Sequence, residues 1–202
     1  MHQSLLYLQK SLLMDTLSWT DVLTPRCRLR RFGAQDLAAF VAYRSDKQVA
    51  ALQSWEDFTL ADGERFLRQL AATPLGELGS WMQLAVADRE TDRLLGDCAL
   101  HFVDPEQCEI GFTFAREHQG QGYAREAVAA LLQRLFLDWQ RYRVTALTDV
   151  RNTSAAKLLR SLSFRQEAHF VKHARFKGAY CDELQFALLQ EEWLAQRRLN
   201  LG

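Results

Sequence analysis

Residues 116–132 read REHQGQGYAREAVAALL, with two glycines one residue apart directly in front of an apolar stripe. A strand-like run, CEIGFTFA (108–115), precedes this segment, and another, YRVTALTDV (142–150), follows it. Ala124, Ala127, Val128, Leu131, Leu132, Leu135 and Phe136 recur at i, i+3, i+4, i+7, the spacing of one helix face. Two strands joined through a helix must cross over and pair in parallel. This order constrains the fold more than any other feature of the chain.

The remaining pattern builds around that crossover. RCRLRRF (26–32) reads as a first strand, with Cys27, Leu29 and Arg31 on one face. AQDLAAFVAYRS (34–45) places Leu37, Phe40, Val41 and Arg44 at helical spacing, with Asp36 in the first turn, where the helix dipole favours an anion. DKQVAALQSWEDF reads as an irregular connection carrying Trp55, and ADGERFLRQLAA (61–72) as a second helix with Phe66, Leu67 and Leu70 inward. Strands over 81–88 and 93–102 flank a polar turn, RETD. After the crossover come a capped helix, NTSAAKLLRSLSF (152–164), two strands and a terminal helix over 191–199. A mixed α/β domain with one sheet follows.

Lys plus Arg equals Asp plus Glu at 25 each, so the net charge is zero. That balance argues against a broad nucleic-acid footprint. Cys27, Cys98, Cys108 and Cys181 form no CxxC and have no histidine at zinc spacing, so no metal is expected. They read as reduced core thiols of a cytoplasmic protein. No apolar run approaches membrane-spanning length. Residues 1–23 read as an N-terminal extension that makes a poor signal peptide, 24–194 as the domain, and 195–202 as the end of the last helix and a tail. Met14 is a possible alternative start, which leaves open whether the first 13 residues belong to the natural protein.

A helix N-terminus exposes unpaired N–H groups and partial positive charge, and glycine lets an anion approach the backbone. Gly120 and Gly122 therefore form either a phosphate cradle or an ordinary strand-to-helix turn. A P-loop is excluded because no Lys-Ser/Thr follows. A dinucleotide fingerprint is excluded because Arg125 stands where the third glycine belongs.

What remains, Gln119-x-x-Gly122-x-Ala124, resembles the Q/R-x-x-G-x-G/A signature of the GNAT superfamily of acyl-CoA N-acyltransferases. EIGFTFAREHQGQGYAREAV, VRNTSAAKLLRSLSFRQE, RFKGAYCDELQFALLQEEW, TPRCRLRRF and YRSDKQVA occur in the order of that superfamily. They are closest to the subgroup of ribosomal-protein N-terminal acetyltransferases (RimJ/RimL-like). The resemblance implies an α/β (α+β mixed) fold: a single, mostly antiparallel, centrally splayed sheet of about six to seven strands, with helices on both faces. It implies acetyl transfer from acetyl-CoA directly to a primary amine. The acceptor is read as a protein N-terminus or other protein amine, with a small amine (polyamine, amino-acid derivative or aminoglycoside) as the alternative. A silent CoA-binding module is the third reading. A homodimer is expected by analogy only.

Residue by residue, the resemblance implies that backbone amides of Gln119, Gly120, Gln121, Gly122, Tyr123 and Ala124 bind pyrophosphate. Phe112, Thr113 and Phe114 would pair with the pantetheine arm, and Gly111 fits a bulge or close approach in that strand. Asn152 matches a family asparagine contacting that arm, and it is also a good N-cap. Glu109 is the base candidate, directly or through water, where a solvent-facing strand residue is the alternative. Imidazole has a better intrinsic range for a base, but His101 and His118 do not fall at matching positions. Leu159 replaces the superfamily's usual tyrosine acid, Ala155 replaces the subgroup's serine, with Ser154 one place earlier, and Ser163 replaces a glycine. Trp55, Tyr180 and Asp182 are the acceptor-site candidates, with Glu56 a further carboxylate. An acidic cleft would favour polycationic small molecules, a point on which balanced overall charge gives no hint.

Overall fold

A computed structural model of the chain describes residues 19–199. Eight strands form one sheet: β1 (Val22–Leu23), β2 (Cys27–Arg30), β3 (Trp81–Asp88), β4 (Leu94–Phe102), β5 (Gln107–Phe114), β6 (Arg143–Asp149), β7 (Arg165–Phe176) and β8 (Ala179–Leu189). Their spatial order is β1-β2-β3-β4-β5-β6-β8-β7. Every neighbouring pair is antiparallel except β5 and β6, which run parallel as the crossover requires. The sheet exceeds the expected six to seven strands, and the two-residue β1 beside β2 accounts for the excess. Residues 1–18 of the proposed extension lie outside the described residues. Trp19 sits against Trp139, with ring centroids 5.9 Å apart.

Among the described residues six α-helices accompany the sheet: α1 (Leu37–Ser45), α2 (Lys47–Ala50), α3 (Leu60–Ala72), α4 (Tyr123–Gln133), α5 (Thr153–Ser161) and α6 (Gln190–Leu199). Helix α2 corrects the reading of 46–58 as wholly irregular. Asp46 starts it by accepting from the N–H groups of Gln48 at 2.8 Å and Val49 at 3.4 Å. The stripe on α4 packs where the spacing placed it, with Ala127, Val128, Leu131 and Leu132 buried against Leu84, Leu100, Phe102 and Ile110 of the sheet. Alternation along each strand turns Ala85 and Asp97 to the opposite face. There Phe40, Tyr43 and Val49 form a second apolar layer with Ala85, Leu94 and Ala115.

Arg31, read on one face with Cys27 and Leu29, is only partly buried, whereas Arg30, on the other face, is 5% exposed. Its guanidinium makes a two-pronged bond to Asp36, at 2.6 and 2.8 Å, and Asp36 also accepts from Gly33 N at 2.8 Å. The anion foreseen at the start of α1 is thus used to neutralise a buried cation. Cys27, Cys98 and Cys108 are buried free thiols, while Cys181, on the outer hairpin, is only partly covered and so is not a core residue. Burial pushes Cys27 up to about 11 and Cys108 up to about 12, well out of the nucleophilic range. Among the described residues, no helix is long and apolar enough to cross a membrane and no cluster could hold a metal.

Arg30 Nε also donates to Asp92 Oδ1 at 2.9 Å, so loss of Asp36 leaves the guanidinium with one carboxylate partner. Asp36→Ala is therefore expected to lower unfolding stability by about 1–3 kcal/mol in urea denaturation, less than the full cost of an unpaired buried charge. A loss below about 1 kcal/mol would show that Asp92 alone compensates Arg30.

Candidate active site

The parallel contact between β5 and β6 covers three residue pairs, ending at Glu109↔Thr145. Beyond it, β5 stays with β4 as far as Phe114↔Gly96, and β6 stays with β8 as far as Asp149↔Glu183. The two halves of the sheet diverge, and the β5 edge facing β6 is left without a strand partner over 110–114. Backbone groups on such an edge seek an extended partner. The divergence opens a cleft of about 1120 Å³. Gly111, Phe112 and Thr113 line one side, Ala146, Leu147 and Thr148 the other, and Asn152, Ala155 and Leu159 the end.

The glycine loop leads from the end of β5 into α4. Gly120 has φ +71 and Gly122 has φ +85, a region costing other residues about 1–2 kcal/mol. A Cβ on Gly120 would meet nothing within 4 Å, so space lies open above the loop. Gln119 donates through Nε2 to Phe114 O at 2.9 Å, tying the loop to the strand end. Arg26 holds the other side. Its Nη1 donates to Gln121 O at 2.9 Å, its Nε to Glu126 Oε2 at 2.7 Å, and its guanidinium lies 4.5 Å from the Tyr123 ring centroid. Glu126 also accepts from Thr24 Oγ1 at 2.6 Å, and these donors hold its carboxyl below the usual range despite opposing desolvation. Arg26, in the turn between β1 and β2, is thus tied to a loop 95 residues away.

Glu109 lies where the sheet begins to divide and lines the cleft. Burial pushes its carboxyl above the ordinary glutamate range, with His101 opposing and Glu183 adding to the rise. His101 is its direct cross-strand partner on β4, and Nδ1 lies 3.8 Å from Glu109 Oε2. That separation is an electrostatic contact and not a formed hydrogen bond. Deeper in the cleft, Asp97 is 1% exposed, bonded by the Tyr43 hydroxyl and 3.7 Å from Arg44 Nη2. Burial drives Asp97 upward and Arg44 opposes it. Trp55 caps this group, its ring centroid 4.0 Å from the Arg44 guanidinium and its Nε1 donating to Arg44 O at 3.0 Å.

The structure therefore brings Glu109, Phe112, Thr113, Asn152 and Trp55 to one cleft. Phe114 is buried at the strand end; beyond it 119–122 form the loop and Tyr123 and Ala124 begin α4, outside the lining of the cleft. Asn152 does cap α5, accepting from Ala155 N at 3.1 Å, and it lines the cleft as well. Gly111 keeps a regular register with Ala99 and has room for a Cβ at 3.6 Å, so neither a bulge nor a tight approach on that side explains it. Tyr180 is 65% exposed on the outer hairpin, and Asp182 is engaged by His169 Nε2 at 2.7 Å and Lys172 N at 2.9 Å. Neither lines the cleft; the next residue, Glu183, does, and it pairs with His173 Nδ1 at 2.6 Å. Ser154 is exposed while Ala155 and Leu159 face the cleft, so the serine does not stand in for the missing one. Glu56 is set 3.7 Å from Lys177 Nζ. Arg26 and Glu183 escaped sequence reasoning, although each sits inside a quoted motif: the partners of Arg26 lie 95 and 100 residues away, and the face that Glu183 presents depends on strand register.

A splayed sheet with parallel central strands and a glycine loop feeding the crossover helix defines the class of CoA-dependent N-acyltransferases. The chain belongs to the GNAT acetyltransferase family: the model described as acetyltransferase (GNAT) domain matches residues 26–165. The uncharacterized N-acetyltransferase p20 of Bacillus licheniformis is 31% identical over 172 residues, spanning 84% of this chain and 96% of that protein. Two solved structures share the fold. Spermidine N-acetyltransferase from Vibrio cholerae, in complex with CoA and spermine, has a TM-score of 0.73 at 21% identity, over 85% of this chain and 99% of that one. Ribosomal-protein-S5-alanine acetyltransferase from Vibrio fischeri has a TM-score of 0.74 at 21% identity, over 87% and 99%.

If Arg26 shapes the loop, Arg26→Ala should weaken CoA binding about tenfold in calorimetry, a loss of about 1.4 kcal/mol. Gly122→Val forces a side chain into positive φ beside Arg26, whose Nη2 would lie 3.2 Å from the new Cβ. It should weaken CoA binding at least as much, and normal affinity in both variants would refute the cradle.

Proposed function

We propose that the chain transfers acetyl from acetyl-CoA to a primary amine of a small polycationic acceptor. One observation carries the acceptor class. Five carboxylates line the cleft (Glu77, Asp97, Glu109, Asp149 and Glu183) against one lining cation, Arg44; Arg44 faces Asp97, Arg151 pairs with Asp149 and His173 with Glu183, so the excess rests on Glu77 and Glu109. Balanced overall charge hides this local excess. A low-dielectric cleft of one sign concentrates ligands of the other. Acetylation of a protein amine, the reading favoured by the subgroup motifs, remains an outcome of the test.

The loop amides of 119–124 hold the pyrophosphate of the donor, and the open edge of β5 at Phe112, Thr113 and Phe114 pairs with its extended arm. Gly120 and Gly122 support this reading by their positive φ and the open space over Gly120. Asn152 contributes at the far wall. Trp55 forms the acceptor's aromatic wall. Glu109 takes the proton that an alkylammonium, with a pKa of about 10, must lose before it can attack the thioester carbonyl. Its raised carboxyl is a better base than an ordinary glutamate. The wall presented by Ala155 and Leu159 holds no acid for the leaving thiolate.

Activity is therefore expected to fall as pH drops through the raised Glu109 titration, at a pH above the usual glutamate range. Glu109→Gln should lower kcat by about 10²–10⁴ and abolish that limb while leaving CoA affinity unchanged; an unchanged kcat would sink the assignment. Acetyl-CoA turnover should be compared across spermidine, an aminoglycoside and peptides with free N-termini. The highest kcat/KM is expected for a polycation, with KM rising as added salt screens the cleft. Preference for a peptide would restore the protein-amine reading, and tight CoA binding without any turnover would overturn the enzymatic one.

A further inference from the structure

The group behind Glu109 carries an inference beyond the base itself, and it rests on the reading of Glu109 as that base. His101 does not line the cleft, but its Nδ1 is buried without a hydrogen bond and faces Glu109 Oε2 at 3.8 Å. A buried ring nitrogen left unbonded is unusual and calls for a physical reason. The ring does not reach its position by accident of rotamer. It stacks on Trp81 of β3, with ring centroids 4.8 Å apart and planes 10° from parallel. Trp81, His101 and Glu109 occupy consecutive positions across β3, β4 and β5, since Trp81 pairs with His101 and His101 with Glu109. The imidazole is thus fixed between an aromatic face and the carboxylate, and its side chain remains 23% exposed. On the cleft side, Glu183 is the other charged group acting on Glu109, with His173 bound to it.

We propose that His101 is a positioning residue that relays the acceptor's proton from Glu109 to solvent. The ammonium N–H bond breaks as Glu109 takes the proton, and the freed lone pair attacks the thioester carbonyl. The proton then passes from Oε2 to His101 Nδ1, across a gap that a small side-chain rotation or one water closes. The proton on Nε2 leaves to water, and exchange with solvent restores the starting tautomer. Glu109 thereby regains its charge while the acceptor occupies the cleft beside it. Every proton is conserved and the final acceptor is water.

His101→Phe keeps the stack on Trp81 and removes both nitrogens. With acetyl-CoA and spermidine it should lower kcat about 10- to 100-fold, less than loss of the base itself, with CoA affinity unchanged. Because His101 holds the Glu109 carboxyl down, the acidic limb should move to higher pH, which a merely structural defect would not do. Exogenous imidazole should restore rate to His101→Ala. An acceptor-free check is the carbon-13 titration of the Glu109 carboxyl, whose midpoint should rise in His101→Phe and in His101→Gln. An unmoved midpoint or an unmoved limb overturns the relay. Failure of the underlying reading is distinguishable: Glu109→Gln with full kcat removes the base, whereas an inactive Glu109→Gln beside a wild-type His101→Phe removes only the relay.

Discussion

Three residue pairs between β5 and β6 carry the architecture of this protein. They are enough to hold the halves of the sheet together at one end, where Cys108 and Val144 are buried in the common core. They are too few to keep the strands together beyond Glu109. Each strand then follows its antiparallel neighbour, and the sheet's own continuity opens the cleft. The reacting centre, the open strand edge and the glycine loop all follow from where that pairing stops. Glu109 sits at the last pair, so the base candidate stands at the apex of the opening.

Electrostatics sets the glycine loop apart from the cleft. At the loop, Arg26 and Glu126 neutralise each other while fixing backbone amides in place, leaving N–H donors and the α4 dipole to face an anion. Along the cleft, carboxylates outnumber cations, and Arg44 is held by Asp97 and by the rings of Trp55, Phe40 and Phe66. The chain's zero net charge is summed over the whole sequence and describes neither region.

Much of the fold was legible because its elements are locally consistent. The 3.6-residue stripe of α4, the cap at Asn152 and the alternation of β3 to β5 all act within a few residues and survive in the tertiary structure. Helix α2 was not legible, because four residues show no period and only the cap at Asp46 announces it. Tyr180 and Asp182 were expected at the acceptor wall, but the hairpin turns them outward and Glu183 inward. A strand alternates sides at every residue, so an error of one position reverses the face.

The sequence by itself determined the crossover, the glycine loop with its need for positive φ, and the family whose motifs it carries. These are local facts, written in spacing and residue type. Only the tertiary structure decided that Arg26 clamps the loop, that His101 stands behind Glu109 on Trp81, and that the cleft is acidic. Those contacts join residues from 8 to 100 positions apart. Strand register and helix packing bring them together, and neither can be read from any single segment of the chain.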